Sequence, residues 1–115
     1  MTQPTIDRAT FDELKETAGA DFVLELVDTF LAEAPVLLAD LGDALSKRDA
    51  ERFRRAAHSL KSNGNTFGAL TLGAMARELE LGGLDPALAA DGKPVDALAQ
   101  EFSRVAAALT ELGHG

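Results

Sequence analysis

Apolar side chains recur at steps of three and four along nearly the whole chain, and no segment alternates with period two. That pattern predicts helices alone. A first short helix is expected to open at Thr10, whose hydroxyl can cap it while Glu13 reaches back, and to stop at Gly19. Asp21 suits the cap of a second helix, whose stripe of Val23, Val27, Phe30, Ala34, Leu37, Leu41 and Leu45 continues to about Arg48. Pro35 interrupts that stripe and removes one backbone hydrogen bond at a cost of about 3 kcal/mol, which predicts a kink or two helices in tandem. The stripe keeps its phase across the proline, and this favours the kink.

Asp49 is a natural cap for a third helix that turns Phe53, Ala57, Leu60 and Gly64 toward a core, with Gly64 and Gly68 bracketing its end. A fourth begins near Ala69 and buries Leu72, Met75 or Ala76, and Leu79 before Gly82 and Gly83 stop it. The polar stretch from Leu84 to Lys93, with its proline and glycine, reads as a connection. Pro94 fits the first turn of the last helix, where Val95, Leu98, Phe102, Val105, Leu109 and Leu112 form a continuous stripe. Four helices with single apolar stripes and short connections predict an all-α fold, an antiparallel up-and-down four-helix bundle with a short extra N-terminal helix.

At 115 residues and 46% hydrophobic content the chain suits one domain, residues 1–115, around one core. Single stripes can satisfy one another within the bundle, so a monomer is expected. The chain has no cysteine, which excludes disulfides, thiol catalysis and thiolate metal sites. No basic start and apolar run mark an export signal, and the hydrophobic stretches are too interrupted to span a bilayer, so a cytoplasmic protein without membrane contact is expected. The chain starts at Met1 and ends just after its last helix, as a free-standing protein would. A formal net charge of -8 argues against nucleic acid as a partner, because phosphate-backbone binding needs a broad basic surface.

Against that acidic background the third helix carries a local reversal of sign. A helix turns about 100° per residue, so Arg54, Arg55, Lys61, Ser62 and Asn65 fall within about 60° of His58, while Phe53, Ala56, Leu60 and Phe67 point the opposite way. His58 therefore faces water within a basic strip. A surface that accepts or carries an anion would need such a strip.

The stretch Ala56-Ala57-His58-Ser59-Leu60-Lys61-Ser62-Asn63-Gly64-Asn65-Thr66-Phe67-Gly68-Ala69 resembles the signature of histidine-containing phosphotransfer (HPt) domains. In that family a helix-borne histidine is followed by lysine three positions on and by a Gly-Ala pair at the start of the next helix, here His58, Lys61 and Gly68-Ala69. Phe30-Leu31, Ala34-Pro35, Leu38, Asp49 and Arg77-Glu78-Leu79-Glu80 are similar to the family's framework, and the likeness runs from about Ile6 to Leu112. The chain departs at Ser62, where the family commonly has a glycine that gives a receiver domain room. Serine is small, and its hydroxyl can hydrogen-bond the imidazole or phosphoryl oxygens.

The resemblance implies a carrier in a multistep two-component phosphorelay, with His58 taking a phosphoryl group from the aspartate of one receiver domain and passing it to another. Neutral imidazole is nucleophilic at physiological pH, and its phosphoramidate is reactive enough to phosphorylate a carboxylate. Lys61 is placed to stabilise charge on the equatorial oxygens. Arg54, Arg55, Ser62, Asn65, Gly64 and Gly68 are the expected partner-docking residues; Arg54 and Arg55 fit surface pairing with Glu51 equally well, and Gly64 fits helix packing. No cofactor or metal is expected in this chain, since the resemblance assigns the Mg2+ to the partner receiver. No glycine-rich nucleotide loop is present, so the chain reads as a carrier and not an enzyme with its own ATP site. Two other readings compete: a helical module that docks receiver domains without being phosphorylated, and a kinase fragment that ATP alone would label. His114 with Glu111 imitates half of a di-iron motif, but no second pair exists, and paired acids such as Glu78 and Glu80 read as a solvated helix face.

Overall fold

A computed structural model describes residues 5–114, with side chains described through Leu112; Met1–Pro4, the side chain of His114, and Gly115 lie outside the described residues. The described residues form six helices: α1 (Arg8–Ala18), α2 (Ala20–Lys47), α3 (Ala50–Thr66), α4 (Leu70–Gly82), α5 (Leu84–Ala89) and α6 (Lys93–His114). Among the described residues there is no strand, and no helix is long and apolar enough to cross a membrane.

The cap of α1 is Asp7, three residues before the expected one. Its carboxylate accepts from the Thr10 backbone N–H at 3.2 Å and also from the Thr10 hydroxyl, so Thr10 serves as a donor inside the first turn. An ionised acceptor facing the positive helix end outcompetes a hydroxyl there. Gly19 ends α1 in a positive-φ turn and itself precedes α2, which leaves Asp21 inside the first turn of α2 and not at its cap.

The long α2 is one helix through Pro35, which excludes the tandem alternative. Its inward stripe is buried at Val23, Val27, Phe30, Ala34 and Leu41, while Leu37 and Leu45 are half-buried. Arg48 turns the chain in the left-handed region, and Asp49 then caps α3 by accepting from the Arg52 N–H at 3.1 Å. Arg52 also reaches back across the hairpin, 2.7 Å from Asp40 and 2.5 Å from Asp43, fixing α2 against α3.

Helices α2, α3, α4 and α6 each pack against the next, and α6 closes the ring on α2. The pairing of Phe30 with Phe67 at one end and of Asp43 with Arg52 at the other makes α2 and α3 antiparallel. Phe30 is the hub of the aromatic core, 5.2 Å from the Phe67 ring centroid and 5.6 Å, edge to face, from that of Phe102. In α4, Leu72 and Leu79 are buried as expected, and of the pair Met75 and Ala76 it is Ala76 that is buried, with Met75 half-buried beside it. Helix α1 lies over the α2–α3 side of the bundle.

The expected connection after Gly83 contains a helical turn and a half, α5. Gly83 bends the chain at φ 73, and Pro86 falls in the first turn, where a helix has no use for its amide hydrogen. Ala87 faces the core, which supplies the burial that keeps so short a helix in place.

Candidate functional site around His58

The outward face of α3 is built as the periodicity requires. Phe53, Ala57, Leu60 and Gly64 are buried, while Arg54, Arg55, His58, Ser62 and Asn65 are exposed. His58 keeps 59% of its side-chain surface open, whereas Lys61, at the edge of the face, keeps 25%.

What brings a second helix to this face is small residues. A Cβ on Gly64 would lie 3.3 Å from Leu72 Cδ2 and 3.4 Å from the Ala69 carbonyl oxygen, so α4 approaches α3 nearly backbone to backbone. At Gly73 the side chain of Asn65 fills the space that a Cβ would take. The two helices run antiparallel, so moving from Asn65 to His58 on α3 corresponds to moving from Gly73 to Glu80 on α4. Glu80 arrives beside the histidine.

Its carboxylate bridges both predicted catalytic groups, with Oε2 2.6 Å from His58 Nδ1 and Oε1 2.8 Å from Lys61 Nζ. Glu80 is only 13% exposed. The Lys61 ammonium first, and the His58 hydrogen bond second, hold its carboxyl below the usual glutamate range despite partial desolvation. An ionised carboxylate can only accept, so Nδ1 carries the hydrogen it faces. In neutral imidazole the lone pair is then on Nε2, the opposite side of the ring.

Sequence reasoning missed this residue by reading Glu80 with Glu78 as a solvated face. The available signal was position, for Glu80 lies one turn beyond the buried Ala76 and next to Leu79, at the border of the apolar stripe. A helix wheel cannot say which neighbour covers that border.

The expected docking residues divide into two groups. Arg54, Arg55, Ser62 and Asn65 lie on the open face, and neither guanidinium forms an ion pair with a described acid, Glu51 included. Gly64 and Gly68 do not belong there. Gly64 is buried in the α3–α4 crossing, and Gly68, at φ 84, lies beneath the start of α1, its carbonyl accepting from the Asp7 N–H at 2.7 Å. Both glycines permit close backbone approach and offer no surface to a partner. Among the described residues no three His, Asp or Glu side chains converge as a metal site.

The sequence pattern of the Hpt domain family matches residues 25–108. Among solved structures, the chain is similar to that of histidine-containing phosphotransfer protein B from Pseudomonas aeruginosa, with a TM-score of 0.87 and 26% identity over 98% of this chain and 97% of that one. No curated protein matches the chain. The family pattern takes in α3, the histidine face and the helix that supplies Glu80, and the chain belongs to the Hpt domain family.

Proposed function

We propose that this chain is a monomeric cytoplasmic phosphoryl carrier of a phosphorelay, accepting the group on His58 from the phospho-aspartate of one receiver domain and giving it to the aspartate of another. Support comes chiefly from one observation: an exposed imidazole whose Nδ1 is engaged by Glu80, leaving the Nε2 lone pair as nucleophile, with the Lys61 ammonium beside it. In the transfer the Nε2 lone pair forms the N–P bond, the P–O bond to aspartate breaks, and the receiver recovers its carboxylate. No proton has to move, because Nδ1–H stays on the ring.

Lys61, one helical turn from His58 and held at Glu80, supplies positive charge beside the ring that would lower the cost of gathering negative phosphoryl oxygens there. Arg54 and Arg55, exposed and without an ion pair among the described residues, supply a docking field for the acidic site of a receiver, whose own Mg2+ would offset the phosphoryl charge. Ser62, on the same face one turn beyond His58, leaves room for approach.

The test mixes the chain with phosphorylated receiver domains and follows acid-labile, base-stable phosphate. Wild type is expected to gain the label, and His58→Gln to dock but remain unlabelled. A wild-type chain that binds receivers without gaining phosphate would make it a docking module, and labelling by ATP alone would make it a kinase fragment.

A further inference from the structure

Glu80 does more than a surface acid needs to do. Its two oxygens are divided between a cation that holds it in place and the ring nitrogen remote from the reacting one. We propose, resting on the carrier reading above, that Glu80 is a positioning residue that keeps phospho-His58 in its Nδ1-protonated form, and thereby keeps the phosphoryl group ready to leave.

The chemistry follows from electron count. Attack by Nε2 of an imidazole bearing Nδ1–H gives a phosphorylated imidazolium, whose ring is cationic until the Nδ1 proton departs. While that proton remains, onward transfer breaks the P–N bond and releases a neutral imidazole. Once it has gone, the same cleavage must expel an imidazolate, a far poorer leaving group. A carboxylate 2.6 Å from Nδ1 favours the cationic ring over the neutral one. Lys61, 2.8 Å from the other oxygen, aims that carboxylate and keeps it ionised.

The surroundings leave this task to Glu80. Among the described residues it has no ion pair other than those with His58 and Lys61. The other charged groups along the same two helices near the site, Arg54 and Arg55 on α3 and Arg77 and Glu78 on α4, are exposed. On the helices packed behind them, Asp40 and Asp43 of α2 are engaged by Arg52, and the buried Glu101 of α6 by Arg104. Glu80→Gln preserves the shape and an oxygen to accept from Nδ1–H, and removes only the charge.

The chain is loaded at His58 with phosphoramidate, and separately from a phosphorylated receiver; the His58→Gln variant identifies any signal from His114. The pH titration of the 31P resonance is then compared among wild type, Glu80→Gln and free Nε2-phosphohistidine. The wild-type midpoint is expected to lie above that of the free compound, and Glu80→Gln to bring it down by about one pH unit, a tenfold change in proton affinity. Above that midpoint, transfer to a receiver and spontaneous hydrolysis should both slow by up to about tenfold in the variant, with the two pH profiles displaced in parallel. A loaded wild type that titrates with the free compound overturns the inference, whether or not the variant folds, and so do superimposed profiles of wild type and variant. A chain that takes no phosphoryl group from either donor overturns the carrier reading as well, so the two failures are distinct.

Discussion

Replacing Gly68 by alanine separates a structural glycine from a docking one. At φ 84 an L-residue is in the left-handed region, at a cost of about 1–2 kcal/mol. The new Cβ would also lie 2.7 Å from the Asp7 carbonyl oxygen and 3.2 Å from Thr10 Cβ, and the first of these is backbone, on a residue whose N–H donates to the Gly68 carbonyl and whose carbonyl accepts from the Phe11 N–H. Relieving the overlap must move the start of α1, weakening a bond worth about 1 kcal/mol net. The sum is a loss of about 2–3 kcal/mol. With an unfolding entropy of about 2.1 cal/mol/K per residue, 115 residues lose about 8–12 °C in melting temperature. Calorimetry and urea melts read the loss, and a receiver-binding titration well below the melting temperature should return wild-type affinity. A melting temperature unchanged within 2 °C, or an unchanged one with weakened binding, would refute the placement of Gly68 under α1.

Three further outcomes follow from the site. Lys61→Ala should slow transfer by about 10–100-fold, less than the loss of a fully buried oxyanion donor because Lys61 is partly exposed, while urea stability changes by about 0.5 kcal/mol or less; an equal loss of both would contradict its role. Receiver affinity should fall with added salt, and Arg54→Ala with Arg55→Ala should flatten that dependence in a binding titration at several ionic strengths; a salt-independent wild type would count against docking by these arginines. Because the folded-state pKa of Glu80 is lowered, its contribution to stability is full above the ordinary glutamate value of 4.5 and is lost as pH falls through the lower folded value. Between those two points the wild type should lose stability on acidification more steeply than Glu80→Gln in urea melts taken across the range, and parallel slopes would remove the bridge.

Much of this arrangement is legible in the sequence, and the division follows the range of the forces. The stripes of α2 and α6, the cap at Asp49, the stop at Gly82-Gly83 and the outward turn of His58 depend on residues within a few turns of one another, and the periodicity carries them directly. The Asp7 cap was missed because Thr10 with Glu13 made an equally regular local pattern, and an ionised acceptor one turn earlier prevailed. Helix α5 was hidden by Pro86 and Gly83, which are breakers in an isolated segment and tolerable where Ala87 can be buried. Glu80 and Gly68 were misjudged, and Gly64 was left between docking and packing, for one shared reason. Their roles are set by which helix lies across them: α4 brings Glu80 to His58, Leu72 and Ala69 cover Gly64, and α1 covers Gly68. A helical wheel shows which face is polar but not what the fold lays against its border.

The most direct measurement identifies the atom that carries phosphorus after the chain has been mixed with a phosphorylated receiver domain. Phosphopeptide mapping with 31P NMR of the loaded protein is expected to find one phosphoryl group, on Nε2 of His58, with Nδ1 left to Glu80. Phosphorus on Nδ1 of that ring, on His114 or on a hydroxyl such as that of Ser62 would contradict the account.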